Sequence, residues 1–166
     1  RRLSSAASDV YKRQIENEFY GTIRPKRSAA SGERPLAALG KSGVEYVEVR
    51  CVDLDPFEPI GINSEQIRFL DTFLLLCLLT ESPTDSREES ARMVRNQTAV
   101  VERGRQPGLV LERDTESVDL RQWATELLDQ CTYIAEVLDR HAANNFYSQT
   151  LAAQKAKVKD PESTPS

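Results

Sequence analysis

Read by the period of its apolar positions, the chain changes character once, near residue 62. Ahead of that point the apolar residues form short alternating stretches, and beyond it they recur every three or four positions. The stretch GVEYVEVRC at 43–51 alternates with period 2. A strand over 44–53 therefore sets Val44, Tyr46, Glu48, Arg50 and Val52 on one face and Glu45, Val47, Val49, Cys51 and Asp53 on the other. The second face is apolar enough through Val47, Val49 and Cys51 to pack on a core, which leaves Tyr46, Glu48 and Arg50 to solvent, a partner or a site. Upstream, IENEFYGTIRPKR at 15–27 reads as an extended segment running into a break at Pro25. SGERPLAALGKSG predicts a short helix over 34–41, with Pro35 near its start and Gly43 as its stop. After the strand, DLDPFEPIG holds two prolines and a glycine and makes an ordered loop, with Asp53 and Asp55 in turn and capping work.

From Asn63 onward the pattern is helical. Asn63 is the expected N-cap, with Gln66 three residues on as its capping-box partner. Ile67, Leu70, Phe73, Leu74 and Cys77 follow at helical spacing, and Leu75, Leu76, Leu78 and Leu79 widen the stripe toward burial on all sides. A second helix is expected over 86–103, stopping near Gly104, followed by the breaker RQPGL and a short apolar LVL. The strongest periodic signal predicts a helix from about 117 to 142, with Leu120, Trp123, Leu127, Cys131, Ile134 and Leu138 inward. A further helix is expected around 144–157. Stripes of this kind are core, and the charges opposite them are a solvated face, so any functional site belongs to the region between Ile15 and Ile62.

Composition narrows the classes without choosing among them. With 166 residues, 39% of them hydrophobic and 29% charged, the chain has the make-up of one ordinary globular domain. A net charge of −4 with no long basic stripe argues against nucleic acid. The longest apolar run, FLLLCLL at 73–79, is far shorter than a bilayer span, so no membrane segment is expected. Three widely spaced cysteines, Cys51, Cys77 and Cys131, sit in apolar segments, which suits a reducing cytoplasm. Lacking paired Cys spacing and holding a single histidine, His141, the chain is a poor candidate for zinc chemistry or a histidine triad. Residues 1–14, RRLSSAASDVYKRQ, are aperiodic and resemble an adapter-derived translation scar. The polar tail at 160–166 stops in a turn-forming stretch, and the whole reads as a piece of something longer.

Four motifs in register, IENEFYGTIRPKR, SGERPL, GVEYVEVRCVDLDPFEPIG and QIRFLD, closely resemble the glutamate–cysteine ligase family of the proteobacterial type. The likeness continues more loosely through RQPGL to the closing DPESTPS. It implies an α+β fold similar to glutamine synthetase and the guanidino kinases. Residues 15–62 would then be part of an antiparallel catalytic sheet and 63–159 a mainly helical region. It also implies an ATP- and Mg²⁺-dependent ligation in which the side-chain carboxylate of L-glutamate is phosphorylated and the amine of L-cysteine displaces the phosphate. The rest of the same chain would be the segment's partner.

Under that resemblance Glu48 matches the magnesium-ligating glutamate and Arg50 the arginine that contacts the phosphate. These types suit the task, because a hard cation prefers anionic oxygen and a planar fork of donors suits phosphate. On pattern alone the favoured reading is a cross-strand or same-face ion pair, of little energetic weight when exposed. Tyr20 matches a tyrosine of the cysteine-substrate pocket, against a half-buried structural aromatic as the alternative. Arg24 and Lys26 are candidates for anionic groups of ATP or glutamate, although at least two of the cations in IRPKR should be merely solvated. Because most of the site would come from elsewhere, the segment alone is expected to be inactive. A related ligase using another amine, or a noncatalytic helical interaction module, would account for the same residues.

Overall fold

A computed structural model describes residues 22–50, 52–82 and 86–164. Among them the class is α+β, as expected, with two small antiparallel sheets and five α-helices. In chain order the elements are β1 (Ile23–Lys26), α1 (Pro35–Ser42), β2 (Tyr46–Val49), α2 (Ser64–Leu79), α3 (Arg87–Arg103), β3 (Val110–Arg113), β4 (Glu116–Asp119), α4 (Leu120–Ala142) and α5 (Phe146–Lys159), closed by a single 3₁₀ turn at Pro161–Ser163. The chain divides into two compact units, one ending at Leu54 and one starting at Asp55.

In the first unit β1 and β2 form an antiparallel ribbon with Ile23 opposite Val49, Arg24 opposite Glu48, Pro25 opposite Val47 and Lys26 opposite Tyr46. Proline is tolerated because a two-stranded ribbon leaves each strand one edge without a partner. Helix α1 starts with Pro35 in its first turn, where the missing N–H costs nothing, and buries Ala38 and Leu39. It ends at Gly43, whose φ of 77° is a left-handed value that glycine adopts without strain. The strand is shorter than the alternation suggests, Tyr46–Val49 instead of 44–53, since β1 supplies only four partners. The expected core face is also more open: Val47 remains 42% exposed. A ribbon of two short strands offers each residue few neighbours to bury against. Cys51, on the same expected face, lies outside the described residues.

The second unit opens with a loop that is ordered as its prolines imply. Asp55 N–H donates to Gly61 O (2.8 Å) and Gly61 N–H to Glu58 O (3.0 Å), while the Asp55 carboxylate accepts from Phe57 N–H (3.0 Å). The loop holds Phe57 and Ile60 outward at 84% and 79% exposure. Helix α2 begins with the expected capping box: Asn63 Oδ1 accepts from Gln66 N–H (2.9 Å) and Gln66 Oε1 from Asn63 N–H (2.8 Å). Its inward face differs from the expected one. Thr72 and Leu76 are buried with Phe69, Phe73 and Leu75 packed beside them, whereas Cys77 is exposed and Leu79 is 71% exposed. Among the described elements α2 packs on α4 and α5, which cover one side of a helix whose leucines encircle it.

Helix α3 starts at an Ser86 cap that accepts from Glu89 N–H (3.0 Å) and stops at Gly104 as expected. Gly104 keeps an ordinary right-handed φ, and the requirement there is space: a Cβ would lie 2.6 Å from Val100 O. No residue of α3 is buried. Polar clasps attach it to β3: Asn96 Nδ2 donates to Glu112 O (2.7 Å), Glu112 N–H donates to Asn96 Oδ1 (2.9 Å), and Arg95 grips the Glu112 carboxylate at 2.8 and 2.6 Å.

The apolar LVL proves to be the start of a hairpin, and residues 117–119 belong to its second strand instead of to the long helix. Leu111 and Val118 face each other across the ladder and are both buried, a cross-strand pair that outweighs the helical spacing of the following residues. The turn is Asp114–Thr115, with Asp114 at a φ of 51°. Asp119 then closes the strand and caps α4, accepting from Arg121 N–H (2.9 Å) and Gln122 N–H (3.1 Å). The main core lies where α4, α2 and α5 meet, with Leu76, Leu128, Cys131, Ile134, Ala135 and Leu151 at its centre. Cys131 and Ile134 fall inward as their spacing implies. Asp139, buried near the end of α4, caps α5 from outside, its two oxygens accepting from Tyr147 N–H (2.8 Å) and Ser148 N–H (3.0 Å). No described helix is long and apolar enough to cross a membrane.

Candidate functional site

Side chains directly opposite in an antiparallel ladder share a face, and so do residues two apart. The β1–β2 register therefore collects Arg24, Lys26, Tyr46 and Glu48 on one face, and the backbone bond from Arg50 N–H to Thr22 O (2.8 Å) carries Arg50 onto it as well. Glu48 is the centre. Arg24 stands across from it and Arg50 two residues along; Lys26 lies on the diagonal. Arg50 donates from Nε (3.0 Å) and Nη2 (2.8 Å), both to Glu48 Oε2. The pair is open to solvent, with side-chain exposures of 52% for Arg50 and 30% for Glu48.

The Arg50 hydrogen bond holds the Glu48 carboxyl below the ordinary glutamate range. Partial desolvation opposes it, and the charges of Arg50, Lys26 and Arg24 reinforce it. An ionised carboxylate ringed by three cations has two consequences. A bare divalent ion is repelled by the surplus positive charge, whereas a polyphosphate carrying its own metal is attracted by it. Among the described residues there is no group of three or more His, Cys, Asp or Glu able to enclose a metal. Glu48 offers one anionic oxygen donor of the kind a hard cation such as magnesium takes, and by itself it makes up only a fraction of such an ion's ligands.

The other sequence candidates separate. Tyr20 lies outside the described residues. Of the three cations in IRPKR, Arg24 and Lys26 alternate onto the site face, while Arg27, past the end of the strand, turns to the C-terminal end of α1. Tyr46, which sequence reading placed on this face without a role, stands beside Lys26 across the ribbon. The second unit contains an apolar cavity of about 340 Å³ lined by Phe69, Phe73, Leu127, Leu128 and Val158, with Lys157 at its border. Gln154, Lys157 and Thr164 are the polar members of a lining that is otherwise apolar, and the cavity reads as a packing seam of the three-helix core.

Comparison with known proteins agrees with the motifs. The family model described as glutamate-cysteine ligase matches residues 10–100, more than half of the 166-residue chain. The glutamate–cysteine ligases of Pseudomonas entomophila and Azotobacter vinelandii are 51% and 52% identical over 153 residues, which cover 92% of this chain and 29% of each relative. The crystal structure of glutamate–cysteine ligase from Francisella tularensis in complex with AMP superposes with a TM-score of 0.79 at 39% identity, over 92% of this chain and 30% of that one. The chain thus spans under a third of the length of the relatives it matches, and within that span its motifs, fold and sequence place it in the glutamate–cysteine ligase family.

Proposed function

We propose that this chain contributes one wall of the active site of an ATP-dependent glutamate–cysteine ligase. In that reaction the γ-carboxylate of L-glutamate is phosphorylated by ATP, and the amine of L-cysteine then displaces phosphate to give γ-glutamylcysteine. The observation carrying this reading is the single ribbon face on which Arg24, Lys26 and Arg50 surround Glu48. Phosphoryl transfer depends mainly on positioning and on cancelling charge at the transferred group, and a face that sets three cations around one carboxylate suits both needs. The AMP held by the Francisella relative supports a nucleotide as the ligand.

In this reading Arg50 meets the transferred phosphoryl group, and Arg24 and Lys26 hold other anionic oxygens of the nucleotide. Glu48 would hold Mg²⁺ from this chain, and the ion would supply positive charge against the phosphate groups. Tyr20 borders the cysteine pocket. Residues 15–62 belong to the catalytic sheet and 63–159 to a mainly helical region. Glutamate recognition and the other metal ligands come from elsewhere in a longer polypeptide, so the 166-residue chain alone has no turnover. Cys77 and Cys131 are in no disulfide, which suits a cytoplasmic setting.

Two substitutions in the full-length ligase carrying this segment test the assignment. Arg50→Ala should lower kcat by about 10²- to 10³-fold, as when one stabilising donor is removed. Glu48→Gln should raise the magnesium concentration needed for half-maximal turnover and lower the rate by about 100-fold or more. Wild-type magnesium dependence in Glu48→Gln would end the reading, because a solvated ion pair predicts indifference.

A further inference from the structure

Two short strands do not fix their own register. A ribbon of four-residue strands is marginal in isolation, and a slip by one residue turns every side chain to the opposite face. Such a slip would separate Arg24 and Lys26 from Glu48 and Arg50. Pro25 also removes one N–H from the middle of β1. The register must be held from outside the strands, and side-chain hydrogen bonds gather at the end where β1 leaves and β2 returns.

Arg27, the first residue after β1, reaches across the connection and donates from Nη1 to Ser42 O (2.9 Å) and Gly43 O (2.9 Å). These carbonyls terminate α1, where the helix dipole favours a cation. Glu45, the residue before β2, answers in the other direction: its Oε2 accepts from Ser28 N–H (2.9 Å), and its own N–H donates to Lys26 O (2.9 Å). The cation thus ties the end of the outgoing strand to the end of α1, and the anion ties the start of the incoming strand back to the outgoing one, immediately beside Lys26. Gly43 lets the chain turn between helix and strand at a φ of 77°. Arg27 resembles a third phosphate-binding cation in the sequence, yet its donors are directed at backbone carbonyls.

We infer that Arg27 and Glu45 are positioning residues, a charge-opposed clamp that sets the β1–β2 register and so presents Arg24, Lys26, Glu48 and Arg50 together to a polyphosphate. The inference rests on the site reading above and adds two residues that touch neither substrate nor metal. Their opposite charges provide a decisive sign. If they acted on the nucleotide through space, removing Arg27 would weaken binding and removing Glu45 would strengthen it; a register clamp requires both losses to weaken it.

The test uses Arg27→Ala, Glu45→Ala and Glu45→Gln in the full-length ligase, with ATP and glutamate KM, kcat, and hydrogen exchange at the amides of Glu45 and Arg50. Both alanine variants should raise the KM for ATP about tenfold, leave the KM for glutamate near wild type, and speed exchange at both amides. Glu45→Gln, which keeps an oxygen for Ser28 N–H, should stay within about twofold of wild type. A lowered KM for ATP in Glu45→Ala, or unchanged exchange in both alanine variants, overturns the clamp. So does a lowered melting temperature with every KM unchanged, since that is ordinary structural support. If exchange quickens but Arg24→Ala and Arg50→Ala leave the KM for ATP untouched, the site reading itself falls, and the clamp's link to nucleotide falls with it.

Discussion

At the scale of single residues, the chain uses carboxylates in two contrasting ways. Glu48 is half open, with a guanidinium on one oxygen and two further cations nearby, an arrangement that suits exchange with a ligand. Asp139 is buried, and both oxygens are occupied by the first N–H groups of α5. Burial alone would raise its pKa, but the bonds from Ser148 and Tyr147 outweigh that and leave it below the ordinary 3.8. A carboxylate with a depressed pKa stabilises the fold at pH above its unfolded value, and that contribution disappears as pH falls through the folded value. Asp139→Asn should therefore cost about 1–2 kcal/mol at neutral pH, the usual loss for a helix cap. The difference in melting temperature between the two proteins should shrink steadily once the pH drops below 3.8. An unchanged difference at strongly acid pH would mean that charge has no part in the cap. The Glu48/Arg50 neighbourhood was legible in the sequence because a strand's alternation is local. Arg24 opposite Glu48 was not, since the ladder register pairs residues some twenty positions apart and depends on the clamp residues 27 and 45, whose contacts no local period reveals.

At the scale of elements, what could be read depended on whether the signal was confined to a few consecutive residues. Asn63 and Gln66 announce the start of α2 because both halves of the capping box lie within one turn. Asn63→Ala should lower stability by about 1 kcal/mol. Urea titration would register this as a lower midpoint at unchanged slope, and a changed slope would point to wider loss of structure. The hairpin of β3 and β4 was illegible for the opposite reason. Each strand carries one buried residue, Leu111 or Val118, and the turn Asp114–Thr115 lacks the glycine that usually marks a two-residue hairpin. Val118 also fits the helical spacing that leads into α4, so period alone could not separate the strand from the helix after it. In α2 the leucine-rich sequence left the inward direction open, and tertiary contact with α4 and α5 chose Leu76 over Cys77.

At the scale of the whole chain, large apolar side chains stay exposed in both units among the described residues, most of all Leu54, Phe57, Ile60, Leu79, Val101 and Tyr133. Exposed apolar surface is where proteins associate. Strands carry a separate hazard, because an outer edge with bare N–H and C=O groups recruits further strands. The clasp between Asn96 and Glu112 answers that hazard with a side chain: the amide of Asn96 satisfies both backbone groups of Glu112 much as another strand would, and helix α3 lies where an incoming chain would pair. Asn96→Ala should unshield that rim. Light scattering would then show concentration-dependent oligomers at concentrations where the parent chain shows no such growth, and identical scattering from both would mean that α3 guards the rim by bulk alone.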